Sequence, residues 1–332
     1  MSLKSLWTAF YQRLVGGRAH RSMDRKTEAA VLEEIEQIVR ETDATILPVR
    51  RFRKKIIPSV RYAMQYISGL ASQVPGPVDL DPARWDDDPL LKAMFISREE
   101  LTGVLQSSKA LKNFFKRTNA SAAFAMLVAD RKEKNFFGIE KNGEIVRRDV
   151  PQKAVFFENV RAIYPATDLT ETRLQIQHFA LVTLLRRAFE KITDLQLWKE
   201  ELEKQKELLE FKIKRPDIPE PRSELKPAEA SDNKMPETHQ VLSDINRKLK
   251  EIETELDTPE NRLSHLCSIL KSPERHLHLK AVSYKLSRLG IRLDTSSTEP
   301  ANEFTAAEFE VGQDLKQMLF WIRVDQASVL SV

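Results

Sequence analysis

Residues 170–214 read TETRLQIQHFALVTLLRRAFEKITDLQLWKEELEKQKELLEFKIK and contain neither glycine nor proline. Apolar residues recur along this stretch at alternating steps of four and three, the spacing that lines one narrow face of a helix packed against another helix. Only Lys199 and Lys206 interrupt this face, which we call the seam. The stretch therefore predicts one long helix that needs a partner helix. The seam consists of Leu181, Leu185, Ala188, Ile192, Leu195, Leu202, Leu209 and Ile213.

A second heptad segment is predicted to fold back on the seam. It follows residues 215–237, which contain five prolines and are expected to form a flexible linker. Two heptad segments joined by such a linker predict a helical hairpin. The long helix would span about 65–70 Å, so the shorter segment covers only part of it, and we expect the remainder to bind another chain. The second segment carries Leu242, Ile245, Leu249, Ile252 and Leu256.

Short helices are predicted throughout residues 1–120. Asp88 precedes a proline and is expected to cap a helix, and Ser97 with Glu100 matches a capping box. A basic stretch after Pro48 leads through Pro58 to another predicted helix start. From their apolar periodicity, we place helices near residues 3–14, 24–42, 60–72 and 109–117, and we expect further short helices to start at Pro89 and after Ser97.

Two other segments have the composition of β-strands. Residues 121–166 are rich in β-branched and aromatic residues, and Asn142-Gly143 is a strong hairpin signal. Near the end of the chain, Glu303–Val311 and Leu315–Asp325 are predicted to form a β-hairpin about Gly312. Residues 277–289 fit both a strand and a helix, and we favour a strand. In the first segment, strands are predicted at 124–130, 135–141, 144–150 and 154–163.

The predicted fold class is α+β, mainly α-helical, with a long coiled-coil helical hairpin and two small antiparallel β-meanders. We divide the chain into six consecutive segments. They are a short-helix region (1–120), a β-meander (121–166), the long heptad helix (167–214), the flexible linker (215–237), the returning heptad helix with a short helix from Thr258-Pro259 (238–271), and a β-rich segment (272–332).

Composition argues against several functional classes. The single cysteine, Cys267, permits no intrachain disulfide, and no apolar run approaches the length of a membrane span. We therefore expect a cytoplasmic protein. The chain has only 9 glycines and lacks a glycine-rich phosphate loop, a nucleophile elbow, HExxH and CxxC. We expect it to be non-enzymatic and to carry no cofactor.

Two groups of residues have the composition of a metal site. His265, Cys267, His276 and His278 are all zinc-ligand types. Residues two apart on a helix project about 200° from one another, so His265 and Cys267 cannot share an ion if they are helical, and we expect no metal. The acidic run 86–88 could hold a hard cation, but helix capping already explains it.

A basic stretch offers an alternative function. With Phe52 between them, its side chains could follow the phosphates of nucleic acid or an anionic membrane. The predicted first helix, with Trp7 and Phe10 on its apolar face, could assist as a membrane anchor, although docking of that face onto the protein is favoured. The stretch consists of Arg50, Arg51, Arg53, Lys54, Lys55 and Arg61.

Four sequence segments resemble segments found in a known group of proteins. They are VPGPVDL (74–80), WDDDPLLKAMF (85–95), GEIVRRDV (143–150) and SPERHLHLKAVSYKLSRLGIRL (272–293). They resemble sequence segments of a family of proteobacterial helical, coiled-coil proteins of unknown function. The resemblance implies a bacterial, cytoplasmic setting and no activity, cofactor or site residue.

The leading functional hypothesis is a scaffold or interaction protein. The seam is longer than its internal partner, so its surface is expected to bind another chain or a second copy of the same chain. Binding to nucleic acid or a membrane through residues 50–61 is the alternative, and an enzyme of unknown class is the third.

Overall fold

The structure, a computed structural model, describes residues 25–142, 145–214, 234–294, 297, 299–311 and 315–330. It consists of two compact units, and neither is continuous in sequence. One unit is formed by Met64–Leu181 with Pro273–Val332, and the other by Arg21–Ala63 with Val182–Ser272. The six consecutive segments expected from the sequence are therefore shared between two units.

The helices confirm the mainly helical α+β class. The long helix has 46 residues and begins one position before the predicted stretch. Both predicted caps are confirmed, because Asp88 accepts hydrogen bonds from the amides of Leu90 and Leu91 and Ser97 accepts one from Glu100. The described helices are α1 (Arg25–Asp43), α2 (Phe52–Gln73), α3 (Pro89–Met94), α4 (Arg98–Ser107), α5 (Lys109–Arg117), α6 (Leu169–Lys214), α7 (Lys234–Leu256), α8 (Pro259–Lys271) and α9 (Gln326–Leu330).

Two helices begin well before their predicted starts: α7 begins at Lys234, inside the predicted linker 215–237, and α2 begins at Phe52. α2 passes through Pro58, which the sequence suggested as a helix boundary. A proline inside a helix costs about 3 kcal/mol. Phe52, Ile56 and Val60 recur at steps of four on the buried side of α2, and burying each contributes about 1.5–3 kcal/mol. Burial of this face therefore outweighs the proline.

All the described strands join a single sheet. Its order is β3-β2-β6-β5-β4, and β1 pairs in parallel with β6. The expectation of two separate meanders was wrong, because β2 and β6 pair antiparallel from Ala122↔Asp325 to Asp130↔Gln317. Two separate sheets would leave the backbone N–H and C=O groups of β2 and β6 unpaired at two edges. Pairing β2 with β6 gives these groups hydrogen-bond partners. The strands are β1 (Val78–Asp79), β2 (Ala122–Asn142), β3 (Ile145–Ala166), β4 (His278–Leu286), β5 (Asn302–Val311) and β6 (Leu315–Asp325).

The first β segment forms two long strands and not four short ones. β2 and β3 pair along almost their whole length, with three register shifts in which β3 has one extra residue. Each shift contains a β3 residue with positive φ: Asp149, Asn159 or Tyr164. A residue in the left-handed conformation allows the bulged strand to accommodate one more residue than its partner strand. The predicted breaks at 131–134 and 151–153 are absent, because β2 and β3 pair without a register shift from Asp130↔Glu158 to Gly138↔Val150. Pro151 is tolerated because β3 is an edge strand.

The sheet carries an apolar core on each face. Alternate residues of a strand point to opposite faces, so Leu127 and Phe320 contribute to a core with α3, α4 and α5. On the other face, Trp321 packs with Ala71 and Val74 at the end of α2. β6 is therefore buried on both sides.

Several predictions lie outside the described residues. These are the helix near residues 3–14, the turn residue Gly143, most of the linker at 215–237, and Gly312. The strands on either side of both hairpin turns are confirmed, as is a strand within 277–289. Among the residues that the structure does describe, none of the helices is both long enough and apolar enough to cross a membrane.

Candidate functional site

The seam of α6 is largely buried within the chain. Its side chains at 181, 185, 188, 192 and 202 are buried, and those at 195, 209 and 213 are half-buried. On α7, the predicted heptad residues Ile245, Leu249, Ile252 and Leu256 are buried. Most of the seam residues proposed as an interface therefore contribute to the protein's own core.

Charged contacts show where α6 and α7 meet. Lys199 Nζ lies 3.6 Å from Glu253 Oε1 and 3.5 Å from Asp257 Oδ1. Lys248 Nζ lies 5.9 Å from the centre of the Trp198 ring, close enough for a cation–π contact. The seam position of Lys199 thus faces the returning helix, in agreement with the predicted hairpin.

The two seam lysines do not require an external partner. Lys199 forms ion pairs with Glu253 of α7 and with Asp257, just after α7. Lys206 Nζ lies 4.0 Å from Glu210 Oε1 on its own helix. Both lysines interrupt the apolar seam in the sequence. In the structure each has a carboxylate partner within the chain, so the argument for a second chain must rest on another surface.

That surface lies on the opposite side of α6. Leu197, Leu208 and Phe211 are 58%, 63% and 51% exposed. At about 100° per residue they fall within about 60° of one another and on the side of the helix away from the seam. Glu201 and Lys204 lie between them and are also exposed. We call this row the outer stripe: Leu197, Glu201, Lys204, Leu208 and Phe211.

The outer stripe continues into a groove between α1 and α6. The groove has a volume of about 510 Å³. Buried Phe189 and half-buried Ile38 and Val182 provide its apolar surface. Exposed Glu190 and Asp194 contribute charge along its α6 side. The groove is also lined by Glu41, Thr42, Arg186 and Thr193.

The outer stripe could have been found in the sequence. Its five members are spaced four, three, four and three residues apart, which is the same heptad spacing as the seam. It is easily overlooked, because two of the five positions are charged and a stronger apolar row runs along the same helix. A helix with heptad rows on two sides can contact two neighbours.

The basic stretch is exposed but partly neutralised. Arg53 binds Glu36 of α1 through two hydrogen bonds, with Nε–Oε1 at 2.6 Å and Nη2–Oε2 at 2.8 Å. The hydrogen bond from Arg53 lowers the pKa of Glu36 below its ordinary value. Phe52 is buried, so it is not available to stack on a base. The side chains of Arg50, Arg51, Lys54, Lys55 and Arg61 are exposed near the start of α2.

The candidate metal ligands are not brought together in one unit. His265 and Cys267 lie on α8 of one unit, and His276 and His278 belong to the other. Burial lowers the pKa of His265 and raises that of the Cys267 thiol, whose Sγ donates to Lys55 O at 3.7 Å. Within the described ranges, no group of three or more His, Cys, Asp or Glu side chains is placed to hold a metal ion.

The acidic run 86–88 is accounted for by protein contacts. Asp86 Oδ2 lies 2.6 Å from Arg98 Nη2, and Asp88 caps α3. Both side chains therefore have structural partners.

Comparisons with protein-family models, with curated proteins and with solved structures each find no match to this chain.

Proposed function

We propose that this chain is a cytoplasmic, non-enzymatic interaction protein that binds another protein chain through the outer stripe of α6. The observation that carries the proposal is the exposure of Leu197, Leu208 and Phe211 on one face of a helix whose opposite face is already covered. Apolar side chains in a heptad row gain free energy when a second helix removes them from water.

The groove between α1 and α6 supports the same proposal. It lies on the face of α6 that bears the outer stripe and offers apolar surface at Phe189 and Ile38. A partner helix lying along the stripe would therefore meet further apolar surface at one end. The charged groove residues Glu41, Glu190 and Asp194 suit the polar rim of a protein interface.

The experiment compares the full chain with the double variant Leu208→Glu/Phe211→Glu. Light scattering measures the mass of each protein, and affinity recovery from nuclease-treated lysate identifies retained proteins. We expect the wild type to self-associate or to retain a partner, and we expect the double variant to lose that interaction. Two buried carboxylates would oppose association because each must lose its water.

The matched control is Gln196→Glu, which adds a negative charge to an exposed position of α6 outside the outer stripe. This variant should associate as the wild type does. A wild type that stays monomeric and retains nothing, or a double variant that binds as well as the wild type, would contradict the proposal.

A second candidate function is binding to a phosphate-rich surface through the basic stretch. Arg50, Arg51, Lys54 and Lys55 are exposed around the first turn of α2. The amino end of a helix carries partial positive charge and unpaired N–H groups, which favour anions.

Changing these four residues to serine tests the second candidate. Arg53 is kept because it binds Glu36. DNA and vesicles of anionic lipid serve as separate probes, and binding should weaken with added salt and fall further in the variant. Absence of wild-type binding to both probes at low salt would rule this candidate out.

A further inference from the structure

We infer that the partner of the outer stripe is a second copy of this chain, paired antiparallel so that Leu197 of each copy lies opposite Leu208 of the other. This inference rests on the proposed function, because it names the partner of the same surface. The order of apolar and charged residues along the stripe favours this pairing.

The antiparallel register follows from charge complementarity. When Leu197 faces Leu208, the two intervening stripe positions also face each other, so Glu201 of one copy meets Lys204 of the other. A two-fold axis repeats every contact, because the interface of a symmetric dimer uses the same surface twice. The pairing therefore contains two apolar pairs and two pairs of opposite charge.

Two other pairings of the stripe with itself bring like charges together. In a parallel, in-register dimer, Glu201 would face Glu201 and Lys204 would face Lys204. In an antiparallel dimer shifted to place Leu197 opposite Phe211, Lys204 would again face Lys204 of the other copy. Charged heptad positions set partner orientation in this way, since like charges in apposition disfavour the wrong register.

The surface on either side of the stripe is compatible with this register. Phe211 would lie opposite Asp194, which belongs to the groove that contains Phe189. Glu201 accepts a hydrogen bond from Gln205 Nε2 at 3.1 Å on its own helix and remains exposed.

Cysteine cross-linking tests the register directly. Cys267→Ser removes the single natural thiol, and Leu197→Cys or Leu208→Cys is then introduced into separate full-length chains. Disulfides form only when the two Cα atoms come within about 7 Å. We expect covalent dimers on mixing the two variants and not from either alone, because like positions lie eleven residues apart in this register, about 16 Å along the helix.

Charge reversal provides a second test that does not depend on cross-linking. Lys204→Glu should weaken self-association by about tenfold, because two attractions become two repulsions. The double variant Glu201→Lys/Lys204→Glu restores opposite charges across the interface and should recover most of the loss. Unchanged helix content by circular dichroism shows that each variant is folded.

The outcomes separate this inference from the proposed function. Cross-linking of Leu197→Cys with itself, or no rescue by the double charge reversal, overturns the antiparallel register. A wild type that is monomeric at about 1 mM overturns self-pairing. In that case, a partner from lysate that is lost in Leu208→Glu/Phe211→Glu would keep the proposed function. A monomer in which Leu208→Cys is protected from alkylation would show that the chain covers its own stripe, and would overturn both.

Discussion

Arg131 Nη1 lies 2.8 Å from Glu308 Oε2, and the two side chains are only 9% and 5% exposed. Arg131 belongs to β2 and Glu308 to β5, so the pair links the two strand-rich segments on either side of the long helix. Tyr284 completes the cluster: its hydroxyl accepts from Arg131 Nη1 at 2.9 Å and donates to Glu308 Oε2 at 3.3 Å. Burial raises the pKa of Tyr284, which keeps the hydroxyl protonated.

Replacing one member of this pair should destabilise the sheet strongly. Glu308→Gln leaves the Arg131 charge buried without its nearest counterion, and breaking a buried pair in this way costs about 3–5 kcal/mol. Urea unfolding followed by circular dichroism measures the loss. Arg131→Met/Glu308→Met removes both charges and should be more stable than Glu308→Gln, because no unpaired buried charge remains.

Glu133→Gln is the control for that comparison. Glu133 lies 3.4 Å from Arg131 and 3.1 Å from Lys153 but is partly exposed. Partly exposed pairs contribute about 1 kcal/mol or less. A loss in Glu308→Gln no larger than in Glu133→Gln would mean that the buried pair is not important for stability.

The sequence predicted most elements of the fold correctly but not how the strands pair. α6, the Asp88 and Ser97 caps and the last hairpin depend on local signals, such as periodicity, capping residues and loop length. The Arg131–Glu308 pair joins residues 177 positions apart, and no local pattern specifies such a partner. The same limit explains why two meanders were predicted where one sheet forms.

The bulges of β3 and the outer stripe were missed for different reasons. Asn159 has positive φ, but an asparagine in a strand pattern does not reveal a bulge until the register is known. The stripe was visible as a spacing in the sequence. Its importance depends on exposure, because Leu202 and Leu208 look alike in the sequence and only the structure shows which of them is covered.

The charge of Asp130 should make stability depend on pH at acidic values. Burial by itself raises the pKa of Asp130, but hydrogen bonds from Asn159 and Gln317, with the charge of Arg161, lower it below its ordinary value of 3.8. A carboxylate with a lowered folded-state pKa stabilises the protein above pH 3.8 and loses this effect as the pH falls through the folded-state pKa. Asp130→Asn should therefore be less stable at pH 7 by about 1–3 kcal/mol.

The difference between Asp130→Asn and the wild type should shrink as the pH falls below 3.8. Urea unfolding at pH 7, 5, 4 and 3 measures this trend. Asp87→Asn, at an exposed position, shows the effect of removing a carboxylate from the surface. A difference for Asp130→Asn that is the same at every pH would contradict the role assigned to its charge.

Gly76 should not accept a side chain. Its φ is 114°, and a Cβ there would collide with the backbone carbonyl oxygen of Trp321. Gly76→Ala should therefore destabilise the protein by more than about 1 kcal/mol. Gly69→Ala is the matched control, since Gly69 lies inside α2 with open space where a Cβ would lie, and alanine there should stabilise the helix by about 0.5–1 kcal/mol. Opposite shifts in the urea midpoint are expected, and equal shifts would contradict the explanation.

Cys267 should be unreactive in the folded protein. Burial raises the pKa of its thiol, so little thiolate forms at pH 8, and reagent access is blocked as well. Labelling by an aromatic disulfide reagent should be slow without urea and fast with it. The control is Ser264→Cys with Cys267→Ser, which moves the thiol to an exposed position of α8 and should react quickly in the folded state. Equal rates for the two folded proteins would contradict the burial of Cys267.

Leu202 and Leu208 allow the two faces of α6 to be compared with the same substitution. Leu202 belongs to the seam and is 4% exposed, whereas Leu208 belongs to the outer stripe and is 63% exposed. Leu202→Ala should cost about 2–5 kcal/mol in urea unfolding, because it removes buried methyl groups and leaves a cavity. Leu208→Ala should change the stability of the monomer by less than about 0.5 kcal/mol and should weaken association. If Leu208→Ala were as destabilising in dilute protein as Leu202→Ala, the stripe would be part of the chain's own core, and the case for a partner would be lost.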